Sequence, residues 1–196
     1  ESSRIVLDDL LAEMREAMEA LTTGTNQKGE PKGDTLQDTA TIKRIQQRME
    51  AIEQKFFGRM NSARDNVLDF EELGVDFLYV DEAHEFRKLD FTSNQSNLKG
   101  VDPMGSMRAL DLLVKARWLD RQRPNRSLVL ASGTPLTNTM AELYSIQRFL
   151  GPKKLIADGF DSFDGWARQY GKVKEEIEPN AAGQYQPVKR FSRFIN

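Results

Sequence analysis

Val75-Asp76-Phe77-Leu78-Tyr79-Val80-Asp81-Glu82-Ala83-His84 is the stretch on which the fold turns. Its first six residues form a short β-branched and aromatic run bounded by Gly74 and an acidic cluster, which suits a buried strand. A second such run, Ser127-Leu128-Val129-Leu130-Ala131, ends at Ser132-Gly133-Thr134-Pro135. Between the two, the spacing predicts a helix from Ser106 to about Arg121, with Met107, Leu110, Val114 and Trp118 on one side and Pro103 and Gly105 just ahead. Another helix is expected over 139–150, stopped by Gly151-Pro152. Strand, helix, strand, helix within about eighty residues is the rhythm of an α/β protein with a parallel sheet, whose sites lie at the carboxyl ends of strands. Both polar clusters, Asp81 to His84 and Ser132 to Pro135, sit at such ends.

Composition permits this fold and excludes several chemistries. A chain of 196 residues with 39% hydrophobic and 30% charged content can bury one good core. The net charge of −2 gives no global pull toward nucleic acid or membrane, so any polyanion site must be a local patch. Zero cysteines and one histidine exclude a disulfide framework, a thiol nucleophile and a zinc site built from Cys or His. A reducing compartment fits, and a cytoplasmic location is expected. No apolar run approaches the roughly 20 residues that span a bilayer, so no membrane partner is expected. The chain begins Glu1-Ser2-Ser3-Arg4, without methionine, as an internal piece of a longer polypeptide would.

Ahead of the α/β segment lie two heptad-like seams. Leu7, Leu11, Met14, Met18 and Leu21 form one, and Ile42, Ile45, Met49, Ile52 and Phe56 the other. Residues 1–21 carry a balance of −4 and residues 39–64 one of +4. Seams and charges together predict an antiparallel helical hairpin over 1–66 with a flexible, Gly/Pro-containing tip at 22–38. Both stripes would also fit packing on a neighbouring domain. The expected remainder is an α/β segment at 67–151 and a helical extension and linker at 152–196, including a short amphipathic helix near Phe163 to Tyr170 and a basic-aromatic tail from Lys189 to Phe194.

Two adjacent carboxylates at a strand tip can hold a hydrated magnesium ion and orient a water, because magnesium keeps most of its waters and takes only one or two protein carboxylates. On this reading Asp81 binds the Mg²⁺ of a nucleotide, Glu82 positions and polarises the attacking water, and His84 couples the site to its surroundings. Ser132, Gly133 and Thr134, at a second tip facing the same crevice, would hydrogen-bond His84 or Glu82 and report nucleotide state. The same letters also fit an ordinary acidic strand end and a simple strand-to-helix turn capped by Thr137 or Asn138.

The run Val80 to His84 and the run Ser132 to Ser145 resemble motifs II and III of superfamily 2 helicases. The spacing of Gly133, Thr134, Pro135, Asn138, Glu142 and Leu143 looks most like the Swi/Snf-type branch of double-stranded DNA translocases. Phe70 to Asp76, Gly105 to Ala109 and Phe163 to Ala167 resemble, more narrowly, the helicase module of large phage- and plasmid-borne proteins that join such a helicase to an adenine-specific DNA methyltransferase. The resemblance covers about residues 67–196. It implies a partial RecA-like (P-loop NTPase) lobe with ATP and Mg²⁺ as cofactors. The implied partners are double-stranded DNA, a second RecA-like lobe and a methyltransferase domain.

One required part is missing. The nearest match to a P-loop, Gly24 to Gly29, is followed by Glu30-Pro31 where lysine and a hydroxyl residue are needed, and no apolar strand precedes it. The chain is therefore expected to be the later half of a first lobe, entered through an inserted hairpin and unable to hydrolyse ATP alone. A local basic patch over 105–130, balance +4, offers Arg108, Lys115 and Arg117 as DNA contacts, or a merely solvated helix face. Two other functions fit some of these features: an interaction module displaying a coiled-coil hairpin on a degenerate nucleotide fold, and a magnesium-dependent hydrolase that does not use ATP.

Overall fold

The computed structural model describes residues 2–23, 36–61, 70–91, 93, 98–99, 101, 103–124, 126–136, 139–179 and 183–195. These fall into two compact units, Glu1–Asp76 and Phe77–Asn196. In the first, α1 (Ser2–Thr23) and α2 (Leu36–Asn61) pack on each other. The stripe on α1 is broader than a heptad seam, because Val6 and Leu10 are buried beside Leu7 and Leu11, a spacing that widens the apolar face. Ile45, Met49 and Ile52 supply the buried face of α2. The ion pair between Arg15 and Glu53, at 3.2 Å, joins a base of the acidic helix to an acid of the basic one. Both side chains are exposed, so the packing rather than the pair holds the helices together. Of the expected tip, residues 24–35 lie outside the described set, as do the side chains of Leu21 and Phe56.

The second unit mixes helices with a small parallel sheet. Strand β1 (Leu78–Val80) pairs in parallel with β3 (Leu128–Leu130), in the register Leu78↔Leu128, Tyr79↔Val129 and Val80↔Leu130. The chain between them carries a 3₁₀ turn (Ala83–Phe86), the short β2 (Leu98–Lys99) and α3 (Met107–Gln122). Helix α3 starts where the sequence indicates, since the Ser106 hydroxyl accepts the Ala109 N–H at 3.1 Å as an N-cap. It is buried on more than one side, with Leu112, Leu113, Ala116 and Leu119 joining Leu110, Val114 and Trp118.

Two sequence expectations need correction here. The apolar run 75–80 forms a strand only over 78–80, and it is not buried on both faces. Side chains alternate along the pleat, so Leu78 and Val80 are half-buried while Tyr79 stands 80% exposed beside an exposed Val129. The stretch after Gly171 is a β-hairpin rather than a linker: β4 (Gly171–Pro179) pairs antiparallel with β5 (Tyr185–Phe194), and β2 adds to β5 in parallel.

The core of this unit is aromatic. Helices α4 (Ala141–Leu150), α5 (Pro152–Ala157) and α6 (Phe163–Tyr170) bury Tyr144, Leu155, Phe163 and Trp166 in one cluster, with Phe91 and Phe191 packed against it. The buried Trp166 indole N–H donates to Gln147 Oε1 at 2.7 Å, so the largest side chain of the core is also satisfied as a donor. Phe191 meets Phe163 edge-on at 6.1 Å and Phe194 meets Trp166 at 6.4 Å. The phenylalanines of the basic tail therefore dock on α6 of their own unit and fasten the base of the hairpin there.

Candidate functional site

The parallel pairing of Val80 with Leu130 makes neighbours of two segments separated by about fifty residues in sequence. Beyond the ladder the link continues: the Ala131 N–H donates to Val80 O and the Ala83 N–H to Ala131 O, each at 2.9 Å. Asp81 to His84 and Ser132 to Thr134 thus leave the sheet side by side at the carboxyl ends of β1 and β3.

Asp81 and Glu82 are both exposed at this edge. Asp81 Oδ1 accepts the N–H of Glu82 at 2.8 Å, which fixes the turn. Glu82 has φ 49° and ψ 45°, the only non-glycine residue with positive φ among the described residues. A left-handed conformation at a residue with a Cβ costs about 1–3 kcal/mol, and such strain collects at functional positions. Its carboxylate lies 3.0 Å from Nδ1 of His84, whose Nε2 is 3.4 Å from Glu85. Glu85 in turn pairs with Arg108 of α3 at 2.6 Å. The four side chains succeed one another at these distances from the strand tip to the following helix.

Ser132 Oγ accepts the N–H of Thr134 at 3.1 Å, a tight local turn, while the ring nitrogens of His84 face Glu82 and Glu85. The hydroxyl cluster therefore adjoins the acidic one through backbone hydrogen bonds. Thr137 and Asn138, the alternative caps, lie outside the described residues. Arg108, Lys115 and Arg117 share α3, and two of them hold acids of their own chain: Arg108 takes Glu85, and Lys115 takes Asp111 at 2.6 Å.

A second layer, absent from the sequence reading, clamps the segment that follows the acidic tip. Along α4, Glu142, Ser145 and Arg148 recur every three residues and face residues 87–90. Glu142 Oε1 lies 3.0 Å from Nε of Arg87, Ser145 Oγ accepts the Leu89 N–H at 3.4 Å, and Arg148 donates to the Asp90 carbonyl. Arg87 carries no local pattern that would have singled it out. Burial of Glu142 runs against the ordinary preference of glutamate for solvent, which is why helical spacing alone does not predict it.

Asp81 fits a hydrated divalent cation, with one carboxylate oxygen engaged by backbone and its side chain open to solvent. Among the described residues no three or more His, Cys, Asp or Glu gather into a group that could hold a metal by themselves. An open depression of about 880 Å³, lined by Phe77, Arg123, Pro124, Arg126, Leu128 and Val129, lies at the opposite ends of the strands and takes no part in this arrangement.

The whole chain, residues 1–196, matches a family model described as a probable helicase domain. It is 24% identical over 130 residues to the Defense against restriction protein B of Escherichia phage P1, an overlap of 65% of this chain and 6% of that protein. Chromodomain-helicase-DNA-binding protein 1 of Homo sapiens is 32% identical over 83 residues, 41% of this chain and 5% of that protein, and its counterpart in Gallus gallus gives the same figures. The chain spans only 5–6% of the length of these curated relatives. No solved structure matches.

Proposed function

The chain belongs to the probable helicase domain family, and from that premise we propose that it forms the part of a RecA-like, Swi/Snf-type lobe that activates water for ATP hydrolysis on double-stranded DNA. The observation that carries this reading is the Val80↔Leu130 pairing, which sets Asp81 and Glu82 next to Ser132 to Thr134 at one sheet edge.

In this function Asp81 would hold the hydrated Mg²⁺ of the nucleotide, and that ion would supply charge neutralisation for the phosphates. Glu82 orients a water and takes its proton as the water oxygen attacks the terminal phosphorus and the bridging P–O bond breaks toward ADP. His84, held between Glu82 and Glu85, positions the Glu82 carboxylate and ties it to α3 through Arg108. Ser132, Gly133 and Thr134 couple the state of this edge to α4. A phosphate-cradling P-loop and an arginine toward the terminal phosphate come from other parts of a longer polypeptide, which would also contribute the second lobe and a methyltransferase domain.

The test is DNA-stimulated phosphate release by that full-length polypeptide. Asp81→Asn should abolish release and weaken Mg²⁺-dependent nucleotide binding. Turnover at the wild-type rate would refute the assignment of Asp81.

A further inference from the structure

The β4–β5 hairpin carries an arrangement that antiparallel sheets ordinarily avoid. Residues directly opposite one another share a face, and Lys172 stands opposite Arg193 while Lys174 stands opposite Arg190. Like charges directly across a ladder are destabilising. The irregularity between Lys172 and Val173 makes this possible, since Ser192 is the extra residue of β5 and its insertion turns Arg193 onto the face of Arg190. The other face takes Val173, Phe191 and Phe194, and the two phenylalanines dock on Phe163 and Trp166, so the cationic face points away from the core.

On that core-side face Lys189 stands opposite Glu175, an ordinary compensated pair. On the cationic face, among the described residues, only Arg190 is compensated, by Glu176 at 3.9 Å and by close contact with Glu178. Lys172, Lys174 and Arg193 are exposed, and among the described residues none of them makes an ion pair or a side-chain hydrogen bond. A strand rise of about 3.4 Å puts Lys172 and Lys174 about 7 Å apart, with their cross-strand partners about 5 Å away. Four cations thus stand over about 7 by 5 Å of backbone, bounded toward the hairpin tip by Glu176 and Glu178.

We propose that this face of the hairpin binds the phosphodiester backbone of nucleic acid. The uncompensated charge is a standing cost that a polyanion removes. The flanking Glu176 and Glu178 favour a narrow line of phosphates over a broad anionic membrane, which would press against those acids as well. The choice of polyanion rests on the DNA-motor reading above. The surface itself lies on a different element from Asp81 and Glu82 and is tested without ATP. It also differs from the α3 cations, of which Arg108 and Lys115 are already held by acids of the chain.

The experiment titrates the 196-residue chain into a fluorescent duplex DNA and follows anisotropy over a range of salt. Lys172→Glu combined with Lys174→Glu should raise Kd about tenfold or more and make the dependence of log K on log salt shallower by about 2 or more. Its thermal midpoint should hold or rise, because each substitution replaces a like-charge cross-strand pair with an opposite one. Lys189→Gln, on the other face, should leave affinity near that of the unaltered chain. Unchanged affinity and salt slope in the double variant would overturn the proposal, as would an equal loss in Lys189→Gln or binding to phosphatidylserine vesicles in place of DNA. Loss of DNA binding together with a lowered thermal midpoint would also count against it. None of these outcomes touches the role of Asp81, which stands or falls on ATP turnover.

Discussion

Nε of Arg87 lies 3.0 Å from Oε1 of Glu142, and the two side chains are 15% and 4% exposed. The pair joins the segment that leaves the acidic strand tip to the helix that leaves the hydroxyl tip. With Ser145 on Leu89 and Arg148 on Asp90, it makes α4 a brace for whatever the 81–86 turn does. The contact therefore ties the chain following the acidic tip to the helix following the hydroxyl tip.

Breaking the pair from one side takes its ion-pair partner from a largely buried charge. Arg87→Met or Glu142→Ala should each lower stability by about 3 kcal/mol, read as a shift of the urea midpoint. Replacing both, Arg87→Met with Glu142→Leu, should cost less than the sum of the two single losses, because the two largely buried charges are removed together. Single losses below about 1 kcal/mol, or strict additivity, would show that the contact does not brace the segment.

Gly105 is required by a close approach to the 89–90 backbone. A Cβ there would stand 2.7 Å from the carbonyl carbon of Leu89 and from Oδ2 of Asp90, and nearer still to the Asp90 nitrogen. The Gly105 N–H also donates to Asp90 Oδ1 at 2.9 Å, just before the Ser106 cap of α3. Gly105→Ala should cost about 1–3 kcal/mol by thermal unfolding, since rigid backbone must shift. At Gly151 the nearest atoms to such a Cβ are 3.9 Å away, and Gly151→Ala should stay within about 0.5 kcal/mol of the parent. Equal effects at the two glycines would contradict this packing.

The α/β rhythm was legible because it rests on local signals. Ser106 as cap, Gly151-Pro152 as stop and the two apolar runs each act within a few residues, and α3, α4 and the β1–β3 pair follow them. The adjacency of the acidic and hydroxyl clusters was legible for the same reason, since parallel strands in one sheet put their carboxyl ends on one edge. The hairpin at 171–194 was not, because Glu175 stands on the face of Val173 and Ile177 and breaks the alternation that would have marked a strand. The Arg87–Glu142 pair was hidden for another reason. It depends on how α4 packs beside residues 87–90, and a buried glutamate carries no signature in its own neighbourhood.

The most direct measurement is ATP hydrolysis by the full-length polypeptide with Glu82→Gln, with and without duplex DNA, alongside nucleotide binding by the same variant. The amide keeps the shape of the side chain and its place beside His84 but does not take a proton from water. DNA-stimulated turnover should fall by about 10²-fold or more with nucleotide affinity largely unchanged. Turnover persisting at the wild-type rate would contradict the assignment of water activation to this strand tip.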